Sequence, residues 1–487
     1  MRNFMRWTAL VLAAIAVVAM LPPPAHAAAT GLHQFTPYLV PFAIGLATTG
    51  TETGSDFSGL NDMLKQVYSK PFENNVEKDS EVADFIDSAE DGSFEVTDGP
   101  DGKQINLGHI FSSGGGVGAM TEDDYLYTPS NPTTKQSSIT IKQLVAIVQL
   151  SGRTMRRVKK GPAAFVTWAD EALPRKAQRL AFQKDRMYLG CQNGIICQYT
   201  VASPSGTTDT IGNAFGISGL EGATNLLLRD DQFRCGPNAN GTSLRTGTAL
   251  VGSVDYVNSA LNTTVSGTTN APTSAAQNDY LFLGDNNVQG IGTREIMGFE
   301  GGIDDGTNVP TFQGLSRTTY MELQAQIIDS SASGYTQTLT EEIMDYADTL
   351  AFERGDMGRP SRILVNRSGQ RSFWKSLKAD REINDPRGNY QGGLNRGELK
   401  MLLGDRMVRV RAARKVPLSR VYGIDPTSIL RFRIGAGRWD DTDGSVWNRV
   451  VDGTGRKDAF FAVYVEEEEV GYGAPAKNFK ITKLASA

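Results

Sequence analysis

Histidine and cysteine are nearly missing from this sequence, at three of each in 487 residues. Cys191, Cys197 and Cys235 are an odd number in a long chain, which excludes a disulfide framework and leaves buried free thiols as the expectation. His26, His33 and His109 lie near no cysteine, so no set of four zinc ligands can be drawn. There is no Gly-x-Ser-x-Gly elbow, no His-Glu-x-x-His helix and no phosphate loop ending in Gly-Lys-Ser/Thr. No catalytic residue, cofactor, metal or small-molecule substrate is therefore expected. Charge of one sign is lacking too. The balance of 49 basic and 54 acidic residues gives −5, so the chain has no global footprint for gripping nucleic acid. Beyond the N-terminus no apolar run is long enough to span a bilayer, and no stable membrane partner is expected.

What the chain does have is bulk. With 40% hydrophobic and 21% charged residues it can bury a large core in several packed units, and 52 glycines fit a fold with many turns. Residues 1–27 have the layout of a secretory signal: Arg2 and Arg6, an apolar run from Trp7 to Leu21, then prolines and Ala25-His26-Ala27. A start codon placed too early is the other reading, since Met20 lies at the end of that run. Residues 28–59 are small and polar apart from Tyr38–Leu46, and form an extension with little core of its own.

From residue 60 ordered elements are expected. Leu60, Met63, Leu64 and Val67 share one helical face ended by Pro71, within an arm over 60–91. Over 92–160, Ile139, Ile141, Leu144, Ala146, Val148 and Leu150 predict strands of a long hairpin. Its middle, Gly114–Lys135, has too few large apolar residues for a core, so it projects and must be stabilised by something outside its own domain. Gly114–Gly118 lacks the lysine and following helix of a phosphate loop and is a plain loop. Over 161–199, Phe165, Trp168, Ala169, Ala172, Leu180 and Met187 trace the stripe of a long amphipathic helix bent at Pro174.

Residues 200–292 turn rich in Gly, Thr, Ser and Asn, with short apolar runs at Asn225–Leu228, Ala249–Val257 and Tyr280–Leu283, the pattern of a β-rich insertion. Within 293–428, Thr338 and Glu341 form a capping box for a helix stopped by Gly355, Arg362–Asn366 is a buried strand, and Ser368 caps a helix carrying Phe373, Trp374 and Leu377. Residues 429–487 return to strands. Helices and strands mix without regular βαβ alternation, which makes the class α+β.

Three charged clusters remain. Arg153, Arg156, Arg157, Lys159 and Lys160 are a candidate contact for a polyanion or for acidic groups of a neighbouring chain, against a plain solvated face. Glu466–Glu469 either supply that opposite charge or blunt an exposed strand edge. Asp440, Asp441 and Asp443 with Gly444 lack the distal glutamate of a calcium loop and form a solvated turn.

This order of elements resembles the major capsid proteins of tailed bacteriophages, with the Hong Kong 97 type shell fold. Leu64-Lys65-Gln66-Val67-Tyr68 is similar to the start of that family's arm. Gly116–Met120 with Glu122 is similar to the tip of its extended loop, Ile139–Lys142 through Gln149–Gly152 to the returning strand, and Ala163–Leu189 to its spine helix. Glu295–Gly301, Leu315-Ser316-Arg317, and Ile363–Asn366 before Phe373-Trp374 resemble the stretches after an inserted β subdomain. The resemblance spans roughly residues 60–484.

It implies an N-arm, an extended loop, a peripheral domain with a spine helix, an axial domain mainly over 293–428 and a β-rich insertion. It also implies a structural protein rather than an enzyme. Copies would assemble as pentamers and hexamers into an icosahedral head around double-stranded DNA, with a scaffold and a portal as partners, in a virion built in the host cytoplasm. The signal-like N-terminus is foreign to that setting. Some relatives join a loop lysine to a neighbour's asparagine; the resemblance places Lys142 at the lysine, Asp458 at its partner and Glu466 as proton acceptor. An encapsulin-like compartment shares the fold and is the alternative, as is an exported surface or binding protein if the N-terminal signal is genuine.

Overall fold

The computed structural model describes residues 81–87, 95–98, 104–152, 176–284, 294–376 and 399–485, apart from breaks of one to six residues inside the longer spans. The signal-like segment, the extension, the Leu60–Val67 helix, Pro174, residues 153–160 and Asp441–Gly444 lie outside them. Helix and strand mix without βαβ regularity, as the α+β expectation requires.

One strand organises the first sheet. Gly455–Tyr472 is rich in Phe, Val and Tyr, side chains that suit a pleated, half-buried surface. It pairs antiparallel with Ile429–Arg433, Arg438–Trp439, Asn448–Asp452 and Lys142–Ser151. Glu95–Asp98 adds in parallel beside Ile429–Arg433. Along Lys142–Ser151, Leu144, Val148 and Leu150 face the core while Val145 and Ile147 face outward, the period-2 pattern of a sheet covered on one side. Immediately before it, Gln104–Ser112 and Thr133–Thr140 form a separate antiparallel hairpin, in register from Gln104 opposite Thr140 to Ser112 opposite Thr133.

The second sheet runs, in spatial order, Gln326–Asp329, Phe479–Thr482, Val421–Ile424, Arg362–Val365, Arg406–Ala412 and Leu399–Leu403. Helices Glu341–Arg354 and Arg367–Ser376 lie on one face, where Ile343, Met344, Ala347 and Phe373 pack with Ile363, Val365, Val410 and Ile481. Gly355 stops the first helix as expected. Both N-terminal caps differ from expectation. Thr340, not Thr338, precedes the first helix. At the second, Asn366 Oδ1 accepts the Ser368 N–H at 2.9 Å, so Asn366 holds the cap and Ser368 is the second residue of the helix. In each case two polar residues compete near the start, and the strand or loop feeding the helix decides between them.

The insertion closes into a six-stranded barrel of Ile195–Tyr199, Asp209–Gly212, Gln232–Gly236, Ala249–Asp255, Ala260–Thr264 and Tyr280–Leu283. Its first strand precedes the Gly/Thr-rich stretch, because Ile195-Ile196-Cys197 supplies apolar staves that the polar insertion cannot. Closure leaves no sheet edge exposed. Cys197 and Cys235 stand directly opposite Leu281 on its two sides. They are thus two strand spacings apart, about 9–10 Å, beyond disulfide reach. All three cysteines are buried free thiols; burial pushes Cys235 up to about 12 and the other two higher still, so they are inert.

Candidate assembly surface

The hairpin is fixed at its root and bare at its tip. Along its first strand Leu107, His109 and Phe111 turn toward the body, while Asn106, Gly108 and Ile110 turn to solvent. His109 Nε2 lies 2.8 Å from Ser137 Oγ and the ring hydrogen-bonds to the Gly473 backbone. Phe111 stacks on Tyr320 at 4.6 Å. The Ser138 N–H donates to Gln313 O at 2.9 Å, and Gln313 Nε2 donates to Val470 O at 3.3 Å, tying the hairpin to the long strand. Burial holds the His109 imidazole below its usual range.

Beyond the root no described residue covers the chain. Every described residue from Ser112 to Gln136 is exposed except half-buried Gly114. The tip is nevertheless apolar: Val117 is 97%, Tyr125 93% and Leu126 84% exposed, with Met120 and Tyr127 beside them. It holds its shape through a few local bonds, from Tyr127 Oη to Ala119 O and from the Gly115 N–H to Ser130 Oγ. Gly114 and Gly116 take φ of +86° and +101°, which only glycine adopts without strain. Exposed apolar side chains clustered at the end of an arm mark a surface made to be covered. Covering Val117, Tyr125 and Leu126 is worth about 1.5–3 kcal/mol each.

The body from which the hairpin projects is locked by buried charge. Glu466–Glu469 are not a solvent-facing run: they sit in the strand that four others flank, and Glu468 and Glu469 are fully buried. Edge-blunting is excluded for the same reason. Glu468 accepts from Arg431 Nη2 at 3.1 Å, pairs with Lys184 Nζ at 2.9 Å and accepts the Tyr188 hydroxyl, which clamps the helix over 178–189 to the sheet. Despite the burial, those two cations hold its carboxyl down to about 2. Glu469, one residue on, meets only neutral donors at hydrogen-bond distance among the described residues: Met297 N–H at 2.7 Å, Val470 N–H at 3.1 Å and Gln192 Nε2 at 3.2 Å. Burial dominates there and raises it to about 8.

Two arginines missed by sequence reasoning complete the lock. Arg186, fully buried, forms a two-pronged pair with Glu295. Arg317, also fully buried, donates to the carbonyls of Leu323, Gly301, Val309 and Gly302 and stacks over Phe312 at 4.2 Å. Glu300 gathers Arg420, Lys480 and the Tyr422 hydroxyl. The Glu295–Gly301 string is therefore the seam where the helix and both sheets meet. Gly298 is required there because a Cβ would come within 2.4 Å of Met187 O and 2.5 Å of Gly190 N.

The three residues of the expected cross-link are not gathered within one chain. Lys142 opens the body strand Lys142–Ser151 rather than the projecting loop, opposite Glu468. Glu466 is two positions away and already pairs with Lys184 and Arg433. Asp458 is exposed at the far end of the same ladder, ten residues from Glu468, or about 34 Å.

No protein-family model matches the chain, and no curated protein matches it. Solved structures similar to it include the capsid asymmetric unit of cyanophage A-1(L), at 11% identity over 86% of this chain and 97% of that one, with a TM-score of 0.49. The capsid of the native GTA particle is 11% identical over 90% of this chain and all of that one, with a TM-score of 0.42. The holo-SrpI encapsulin complex from Synechococcus elongatus is 6% identical over 81% and 86%, with a TM-score of 0.35.

Proposed function

We propose that this chain is a major capsid protein of the tailed-phage type, a structural subunit that assembles as pentamers and hexamers into an icosahedral head around double-stranded DNA. The observation that carries the reading is the hairpin: a rigid root, a long reach and an apolar tip with no cover among the described residues. A neighbouring copy supplies that cover, in the manner of intertwined interfaces that resemble a core cut in two. A separate scaffold and a portal are the assembly partners of such a shell, the virion is its location, and the basic run Arg153, Arg156, Arg157, Lys159 and Lys160 is its polyanion or subunit contact. Expression of the chain followed by electron microscopy tests the reading. Closed particles containing nucleic acid support it; particles filled with protein favour a compartment of the encapsulin kind, and a persistently monomeric protein refutes both.

A covalent link between Lys142 and Asp458 belongs to the same proposal. The ladder separation means that it would join two subunits. The Lys142 amine would attack the Asp458 carboxyl carbon, Glu466 would take the amine proton, and water would leave as the amide forms. Boiling assembled particles in detergent gives a ladder of oligomers if the link forms, and monomer alone if it does not.

A further inference from the structure

The near-neutral chain conceals a strong internal polarity. From Arg294 to Glu353 there are eleven acidic residues and two basic ones; from Arg354 to Lys415 there are sixteen basic and six acidic. Some of this charge is consumed inside, as in the pairs of Asp348 with Arg406 and Asp185 with Lys415. Part of the rest reaches the surface on two helices of the second sheet. Glu341, Glu342 and Asp345 are exposed in the first two turns of Glu341–Arg354, and Arg367 and Arg371, four residues apart on one face, are exposed on Arg367–Ser376. None of the five has an ion-pair partner among the described residues.

The two helices sit at different places in one layer. The acidic helix packs on Gln326–Asp329 and Phe479–Thr482 at one edge of the sheet and also touches Leu399–Leu403 at the other, and its middle reaches Arg406 through Asp348. The basic helix packs on Arg406–Ala412, next to the opposite edge strand. Two unlike, complementary patches on one subunit make a head-to-tail contact, the kind that closes into a ring when the rotation fits.

We infer that the acidic face of Glu341–Arg354 docks on the basic face of Arg367–Ser376 in the next copy of this chain around each ring. The inference rests on the shell reading and names its ring contact. Each exposed pair is weak on its own, but the contact repeats at every subunit boundary, and complementary charge sets register and suppresses wrong partners. High salt weakens it through screening.

Charge reversal tests it in the full-length chain. Arg367→Glu with Arg371→Glu, and separately Glu342→Lys with Asp345→Lys, should each lower particle yield about tenfold or more while the soluble subunit keeps its circular dichroism. All four substitutions together should restore assembly. Unchanged yield in either double variant, or no rescue in the quadruple one, overturns the inference and leaves the shell reading standing. A basic-face variant that assembles normally but holds less nucleic acid also overturns it, because that face then meets a polyanion. Wild-type chain that forms no particles sinks the shell reading itself.

Discussion

Adjacent glutamates with opposite electrostatics give a sharp test of how the body is held together. Glu468 is held down to about 2 by Lys184 and Arg431, against an ordinary value of 4.5. That depression is worth about 3 kcal/mol at neutral pH. The contribution is full above about pH 4.5 and is lost as pH falls toward 2. Replacing it, Glu468→Gln, leaves two buried cations short of their counter-charge and should cost about 3–5 kcal/mol at any pH above 5. Glu469 has the reverse sign. Raised to about 8, it keeps its proton in the fold while the unfolded chain ionises from about pH 4.5. Stability therefore falls by about 1.4 kcal/mol per pH unit between those values, or about 3 kcal/mol by pH 7. In Glu469→Gln the amide oxygen still accepts from Met297 and Val470, and Gln192 can turn its own oxygen to the new amide. That variant should match wild type within about 1 kcal/mol at pH 5 and exceed it at pH 8 by about 4 kcal/mol. Urea unfolding of the unassembled subunit at both pH values reads the difference. Equal destabilisation by the two variants at pH 8, or a Glu469→Gln effect without pH dependence, would refute the reasoning.

Leu126→Asp should leave subunit stability within about 0.5 kcal/mol, since the side chain touches little of its own chain, yet reduce particle yield strongly; sedimentation of the two species checks both halves. Gly298→Ala should cost about 2 kcal/mol or more by overpacking against the 187–190 backbone, seen as a lower unfolding midpoint. At His109, whose imidazole is held below its usual range, the neutral ring is the one the fold favours. Its contribution is therefore full above the unfolded value of about 6.5 and declines as pH falls below it. Protection against hydrogen exchange at Leu107–Phe111, corrected for the intrinsic rate, should fall between pH 7 and 5.5, and His109→Gln should remove that step.

How much was legible in the sequence depends on whether the controlling forces were local. The hairpin could be anticipated because Gly114–Lys135 has too few large apolar residues for a core, and the Gly355 stop because a helix end shows itself within one turn. Leu144, Val148 and Leu150 declared their buried face by alternation alone. Glu466–Glu469 misled because four consecutive carboxylates normally seek water; their partners Lys184, Tyr188 and Arg431 lie far away in sequence. Arg186 and Glu295, 109 positions apart, were invisible for the same reason. Barrel closure depends on Asp209–Gly212 meeting Ala260–Thr264, a pairing that neither strand's composition specifies. The charge reversal at Arg354 was present in the sequence, but only the exposure of Glu341, Glu342, Arg367 and Arg371 separates it from internal ion pairs.

The central claim is that the hairpin tip is covered by another copy of this chain. Electron cryomicroscopy of particles assembled from the purified protein, at a resolution that traces side chains, tests it most directly. The account requires Val117, Tyr125 and Leu126 of each subunit to be buried against a neighbouring subunit. A closed shell in which those side chains remain in solvent, or a protein that stays monomeric, would contradict it.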